Sequence, residues 1–275
     1  MAYPIIDAPY GLKPVNLIGG QVFAGSTRMY NIPYGFATSI FYGDFVGLTR
    51  GEITRLSVSS GTAGTQTGIF LGCSFTDPVT KQKRFSQFWP ASTLAGDALA
   101  IVSDDPDAVF KAVVCSATTV VASGARAMIG QNLACINNTG NVNTGNSANA
   151  LLAPTDTPAT TVSLPIRVLG VQLDTAVPLG TATYTSGTTT VNCSALPFAL
   201  PVGTDVASIA ANGQYICSGS FVDTAASAGA TSFILNQAPA TAFVASSTLV
   251  FTQFPELLVK INFGQHQYYA GISIP

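Results

Sequence analysis

Residues 68–92 read GIFLGCSFTDPVTKQKRFSQFWPAS, two apolar runs, Gly68–Thr76 and Arg84–Trp89, on either side of Asp77-Pro78-Val79-Thr80. Asp favours the first position of a type I turn, and the proline that follows presets φ at the second. The spacing predicts a β-hairpin. Along its second run Phe85 and Gln87 point one way, and Arg84, Ser86 and Phe88 the other. Aromatic side chains therefore occupy both faces, and burial on both sides is expected.

The neighbouring stretches carry the same β signature. From Ile40 to Val58 short strands are broken by Gly43, Gly47 and Gly51, with Arg50, Glu52 and Arg55 as edge charges. Ala98–Val102 reads as a strand, Ser103-Asp104-Asp105-Pro106-Asp107 as a turn, and Ala108–Val114 as the strand that completes a second hairpin. Three carboxylates in that turn invite a calcium reading. No glycine-punctuated loop with a closing Glu follows, so a metal is not expected. Thr118–Val121 and Arg126–Ile136 continue the β pattern, and the asparagine-rich run from Asn137 to Thr161 reads as one long loop. Ser163–Asp174 and Leu257–Tyr269 return to strand.

Residues 176–254 contain no Lys or Arg and only two carboxylates, Asp205 and Asp223. The shift in composition marks a separate module. Thr181–Thr185, Thr188–Cys193, Asp205–Ile209, Gln214–Val222, Thr231–Leu235 and Thr248–Phe254 are β-branched or aromatic runs parted by Gly187, Gly203, Asn212-Gly213 and Ala228-Gly229. That pattern suggests a small β-sandwich or barrel inserted in a loop of the main domain and projecting from it. At the other end, residues 1–36 hold Pro4, Pro9, Pro14 and Pro33 in an otherwise apolar run, which excludes a long helix and favours an extended arm. The expected organisation is all-β: an arm at 1–36, a barrel- or sandwich-like main domain at 37–175 plus 255–275, and the inserted module at 176–254.

Only 9% of the 275 residues are charged while 47% are apolar, and eleven Lys and Arg stand against thirteen Asp and Glu. An average soluble domain has about 25% charged residues, so little charge keeps copies of this chain apart, which suits a protein meant to associate. Nucleic acid is not an expected partner, because phosphate binding needs clustered cations and the one basic run is Lys81-Gln82-Lys83-Arg84 at the hairpin tip. No apolar run approaches the roughly 18 residues of a membrane helix, and no charged leader with an apolar core follows Met1, so neither membrane nor secretion is expected. Five separated cysteines, Cys73, Cys115, Cys135, Cys193 and Cys217, read as buried thiols. Nucleophile elbow, phosphate loop, metalloprotease helix and C-x-x-C motifs are missing, and His266, the single histidine, reads as structural on the C-terminal strand. Neither catalysis nor a cofactor is expected.

Three blocks, GIFLGCSFTDPVTKQKRFSQFWPAS at 68–92, SDDPDAVFKA at 103–112 and LLVKINFGQHQYY at 257–269, resemble in spacing and order the decoration (cement) proteins of tailed bacteriophages, marine and cyanobacterial ones above all. The resemblance covers the chain outside 176–254. It implies a structural protein of the virion exterior, made in the host cytoplasm, that reinforces the mature capsid by bridging major capsid protein subunits. Such proteins act as small oligomers, often homotrimers. The candidate capsid or intersubunit contacts are then Tyr3, Ile5, Ile6, Tyr10 and Leu12 of the arm and Lys81, Lys83 and Arg84 of the hairpin tip. The alternative is a tail-associated or adhesin-like protein whose module binds a host glycan through Tyr184, Phe198, Tyr215, Phe221, Phe233 or Phe243, although most of these fall in expected strands and read as core.

Overall fold

The computed structural model describes residues 6–58, 65–122, 124, 128–152, 163–172, 177–184, 187–196, 199–200, 202, 204–210, 212–239, 243, 247–252 and 254–268. They form an all-β protein of three sheets, two of them barrel-like.

The first sheet holds β2 (Arg28–Asn31), β3 (Phe45–Thr49), β4 (Glu52–Arg55), β5 (Gly68–Thr76), β6 (Lys83–Ser86) and β7 (Leu99–Ser103). Its order is β3-β4-β2-β7-β5-β6, and β5 also pairs with β3, so five strands close into a ring with β6 outside it. Phe70, Cys73, Phe75, Trp89, Ile53 and Val46 fill the ring, with Trp89 edge-on to Phe75 at 5.2 Å. Phe70 and Cys73, three apart, would point to opposite faces of a regular strand. A register shift between Phe70 and Gly72, where Gly72 has φ 148°, brings both inside.

The second sheet comprises β1 (Lys13–Leu17), β8 (Ala108–Ala117), β9 (Val120–Val121), β10 (Asn132–Leu133), β11 (Cys135–Ile136), β12 (Ala150–Leu152), β13 (Ile166–Val171) and β20 (Glu256–Ile261). The long strand β8 is its centre, pairing with β20, β1, β9 and β12. Phe45 and Ile69 belong to this sheet's core, whereas their neighbours Val46 and Phe70 belong to the ring. The β3/β5 wall is thus buried on both faces, as expected of the first half of the hairpin. Its second half differs. β6 is an edge strand whose Lys83, Arg84 and Phe85 are all exposed, and only the end of the run is covered, with Phe88 stacked on Phe41 and Trp89 buried.

Three more expectations change. Residues 108–117 do not fold back on β7, because β2 and β5 already occupy both of its edges, so the Ser103–Asp107 corner crosses into the second sheet instead. Within the stretch expected as an extended arm, β1 pairs with β8 and β2 with β7, so it is woven into the two sheets. Proline excludes helix there but not an edge strand, and Pro14 lies where the β1 register slips. The asparagine-rich loop contains β12, which pairs parallel with β8. Residues 153–161 of that run, like residues 1–5, lie outside the described residues.

The third sheet is a closed barrel, β14 (Val177–Tyr184), β15 (Thr190–Cys193), β18 (Ser232–Leu235), β17 (Tyr215–Thr224), β16 (Asp205–Ile209) and β19 (Thr248–Thr252) in spatial order. Val191, Val206, Val222, Phe233, Leu249 and Phe251 are buried, with Phe233 edge-on to Phe251 at 5.4 Å. The barrel is inserted between β13 and β20, which pair directly from Ile166↔Ile261 to Val171↔Leu257. Its buried residues form one continuous cluster with those of the second sheet.

Candidate functional site at the junction of the two sheets

The corner between β7 and β8 is built from its own residues. Asp105 accepts the Asp107 N–H on its side chain (2.9 Å) and the Ala108 N–H on its carbonyl (3.0 Å). That leaves Asp104 pointing inward, 4% exposed. Its carboxylate accepts the Tyr30 hydroxyl of β2 at 2.7 Å and the Tyr268 hydroxyl, and pairs with Arg28 Nε at 3.2 Å. The two phenol oxygens lie 2.7 Å apart, and the Arg28 guanidinium sits over the Tyr268 ring at 5.5 Å. An unpaired buried carboxylate would cost several kcal/mol, so these donors make its burial tolerable. Burial, then the bond to Asp104, pushes the Tyr268 phenol well above its ordinary value, while Asp104 raises Arg28. Gly68 closes the junction from the β5 side: a Cβ there would stand 2.1 Å from the Ser103 carbonyl oxygen.

Beyond β20 the chain makes a 3-10 turn at Phe263–Gln265 and wraps back over the ring wall. His266 is therefore not on the C-terminal strand, which ends at Ile261. It forms an isolated parallel bridge with Gln66: the Gln66 N–H donates to the Gln265 carbonyl (3.2 Å) and the Gln267 N–H to the Gln66 carbonyl (2.7 Å). Gln267 Oε1 accepts the Thr67 hydroxyl and the Leu48 N–H. His266 is 1% exposed, its Nδ1 accepts the Tyr268 N–H at 3.2 Å, and burial lowers its pKa. An open cleft of about 370 Å³ adjoins this clasp, between Gly25–Arg28 on one side and Asp104–Pro106 with Tyr268 on the other.

Two other buried carboxylates tie distant segments together. Asp44 accepts Arg55 Nε (2.8 Å), Ser147 Oγ (2.6 Å), Asn149 Nδ2 (3.0 Å) and the Phe41 N–H (2.9 Å), joining the ring to the 137–149 loop. Burial raises its carboxyl despite Arg55. Glu256 accepts the Tyr10 hydroxyl and pairs with Lys111 Nζ at 3.2 Å, while the Lys13 ammonium lies 4.4 Å above the Tyr10 ring. Burial and Glu256 push Tyr10 far up, and burial and Lys111 lower Lys13. A buried carboxylate that accepts from donors on distant segments is a strong tether between them. Each of the three centres joins segments far apart in the chain.

The expected contact residues fall in two groups. Tyr3 and Ile5 lie outside the described residues. Ile6 and Tyr10 are half-buried against the larger core, and Leu12 is fully buried, because the left-handed turn at Gly11 (φ 77°) tucks the chain under Gly43. Leu12 is a core residue, not a surface contact. At the hairpin tip, Lys83 pairs with Asp97 (2.9 Å) and Arg84 with Asp77 (3.0 Å), while Lys81 is exposed in the turn. Val79 of the turn and Phe85 of β6 are 85% and 79% exposed. Arg28, Tyr30 and Tyr268 carry no local signal: Asp104 stands 74 residues from Tyr30 and 164 from Tyr268. Comparison with protein-family models, curated proteins and solved structures returns no match.

Proposed function

We propose that the chain is a virion structural protein that decorates the mature capsid of a tailed bacteriophage and reinforces it by bridging neighbouring major capsid protein subunits. The observation that carries this reading is the meeting of the three resembling blocks at one place. Gly68 of the first lies against Ser103 and Asp104 of the second, and Tyr268 of the third donates to Asp104. The blocks on which the resemblance rests thus meet at a single junction. Three buried carboxylates, each tied to donors from distant segments, also suit a protein that bears load. Contacts at the exposed hairpin tip can each be weak, because many copies held at several points gain avidity from assembly.

Adding the purified chain to particles that lack it should raise the temperature of genome release. Unchanged release at saturating occupancy would overturn the reading. The adhesin alternative draws on Phe221 and Ile234, 39% and 42% exposed on the outside of the barrel, where an aromatic ring could meet a sugar. Occupancy over the whole shell favours decoration; occupancy confined to the tail favours adhesion.

A further inference from the structure

We infer that His266 is the trigger of an acid-sensitive clasp: a second proton on its imidazole releases the C-terminal turn that Tyr268 pins to Asp104. The geometry sets the direction. Nδ1 accepts the Tyr268 N–H at 3.2 Å, so the neutral ring carries its hydrogen on Nε2. The added proton must go to Nδ1. It turns that acceptor into a donor facing another donor, and it places a charge on a ring only 1% exposed. The same residue whose N–H is displaced holds the clasp, through its hydroxyl on Asp104 and its ring under Arg28. Loss of the first bond therefore loosens the second.

The groups facing His266 come from four elements. From the corner, Asp104 and Asp105 favour the imidazolium, as does a hydrogen bond with the Asp104 main chain; from β20, Lys260 opposes it. From β2, Arg28 and Tyr30 reach the ring only through Tyr268 and Asp104. The segment entering β5 offers the uncharged Gln66 and Thr67. Burial outweighs the two carboxylates, and the folded-state pKa lies below the ordinary 6.5. The folded state then binds fewer protons than the unfolded one just below that pH, so the contribution is full above about pH 6.5 and is lost as pH falls. Release of Tyr268 would open the cleft between Gly25–Arg28 and Asp104–Pro106. None of this depends on the capsid reading.

Native-state hydrogen exchange on the full chain between pH 7.5 and 5.0, corrected for intrinsic exchange, tests it above the range in which ordinary carboxylates titrate. Protection of residues 263–268 should fall by up to about tenfold per pH unit as pH drops from the ordinary 6.5 towards the lower folded-state pKa, while β5 and β7 hold theirs. His266→Gln, whose side-chain oxygen can still accept the Tyr268 N–H, should abolish the fall. Should that variant not fold, the imidazole resonance of this single histidine in the unaltered chain gives the answer, titrating below 6.5 in step with the Tyr268 amide. Flat protection across the range, an equal fall in His266→Gln, or an imidazole midpoint at or above 6.5 would overturn the inference.

Discussion

Asp104 is placed to be felt by two sheets at once, since its donors come from β2 and from the C-terminal turn. Asp104→Asn puts an amide against those donors and should lower the unfolding free energy by about 3 kcal/mol, read by urea denaturation. A loss under about 1 kcal/mol would mean that the junction is not a staple. Gly68→Ala should be at least as costly, about 3 kcal/mol or more, because its Cβ meets main chain and not a side chain that can swing away. The two carboxylates that tie the hairpin, Asp77 and Asp97, behave differently from the buried Asp44 under acid. Asp77 is held below its ordinary value by the Thr80 and Val79 N–H groups, and Asp97 by the Thr76 N–H and hydroxyl. Groups depressed in the folded state contribute stability that is present above about pH 4 and lost as pH falls. Asp44 is raised, and protonation relieves its burial. Region-resolved hydrogen exchange between pH 5 and 2.5 should therefore show the hairpin tip loosening before the Asp44 staple; the reverse order would contradict these assignments.

At the scale of elements, how much could be read from the sequence follows from how local each signal is. All six barrel strands were legible, because β-branched runs alternate with glycines such as Gly187, Gly213 and Gly229, each of which has positive φ and ends a run. The hairpin turn was legible for the same reason, and Asp77 Oδ1 accepts the Val79 and Thr80 N–H groups as its position suggests. β1 and β2 were not, since prolines and exposed faces hide strands that exist only through partners about seventy to a hundred residues away. The crossover at Ser103–Asp107 was hidden too: whether two strands pair depends on whether the first has a free edge, and nothing local to β7 tells of β2 and β5. The candidate junction was the least legible part. Its blocks could be seen, but the convergence of Arg28, Tyr30, Asp104 and Tyr268 is a property of three-dimensional closure alone. The barrel offers the matching experiment. Because β13 and β20 pair directly across its point of insertion, replacing residues 176–254 by a short Gly-Ser linker should leave a remainder that unfolds cooperatively, at lower temperature because the continuous core loses its barrel half. Non-cooperative melting by circular dichroism would show that the sheets cannot stand without it.

For the whole molecule, the account is that a charge-poor, all-β chain is braced internally by Asp44, Asp104 and Glu256 and presents an apolar hairpin tip, Val79 and Phe85, beside Lys81. Bracing of this kind serves a protein that works by holding its shape while attached to something larger. On the proposed decoration role, binding that exists only in the assembled state would add to the assembly's stability by mass action, and a modest free energy per copy, repeated over a shell, would oppose its rupture. Genome release measured against temperature, in particles stripped of the chain and then saturated with it, tests that claim most directly. The account predicts release at higher temperature with the chain bound over the whole shell, and a smaller gain with Val79→Ser and Phe85→Ser together. Release at the same temperature with and without the bound chain would contradict it.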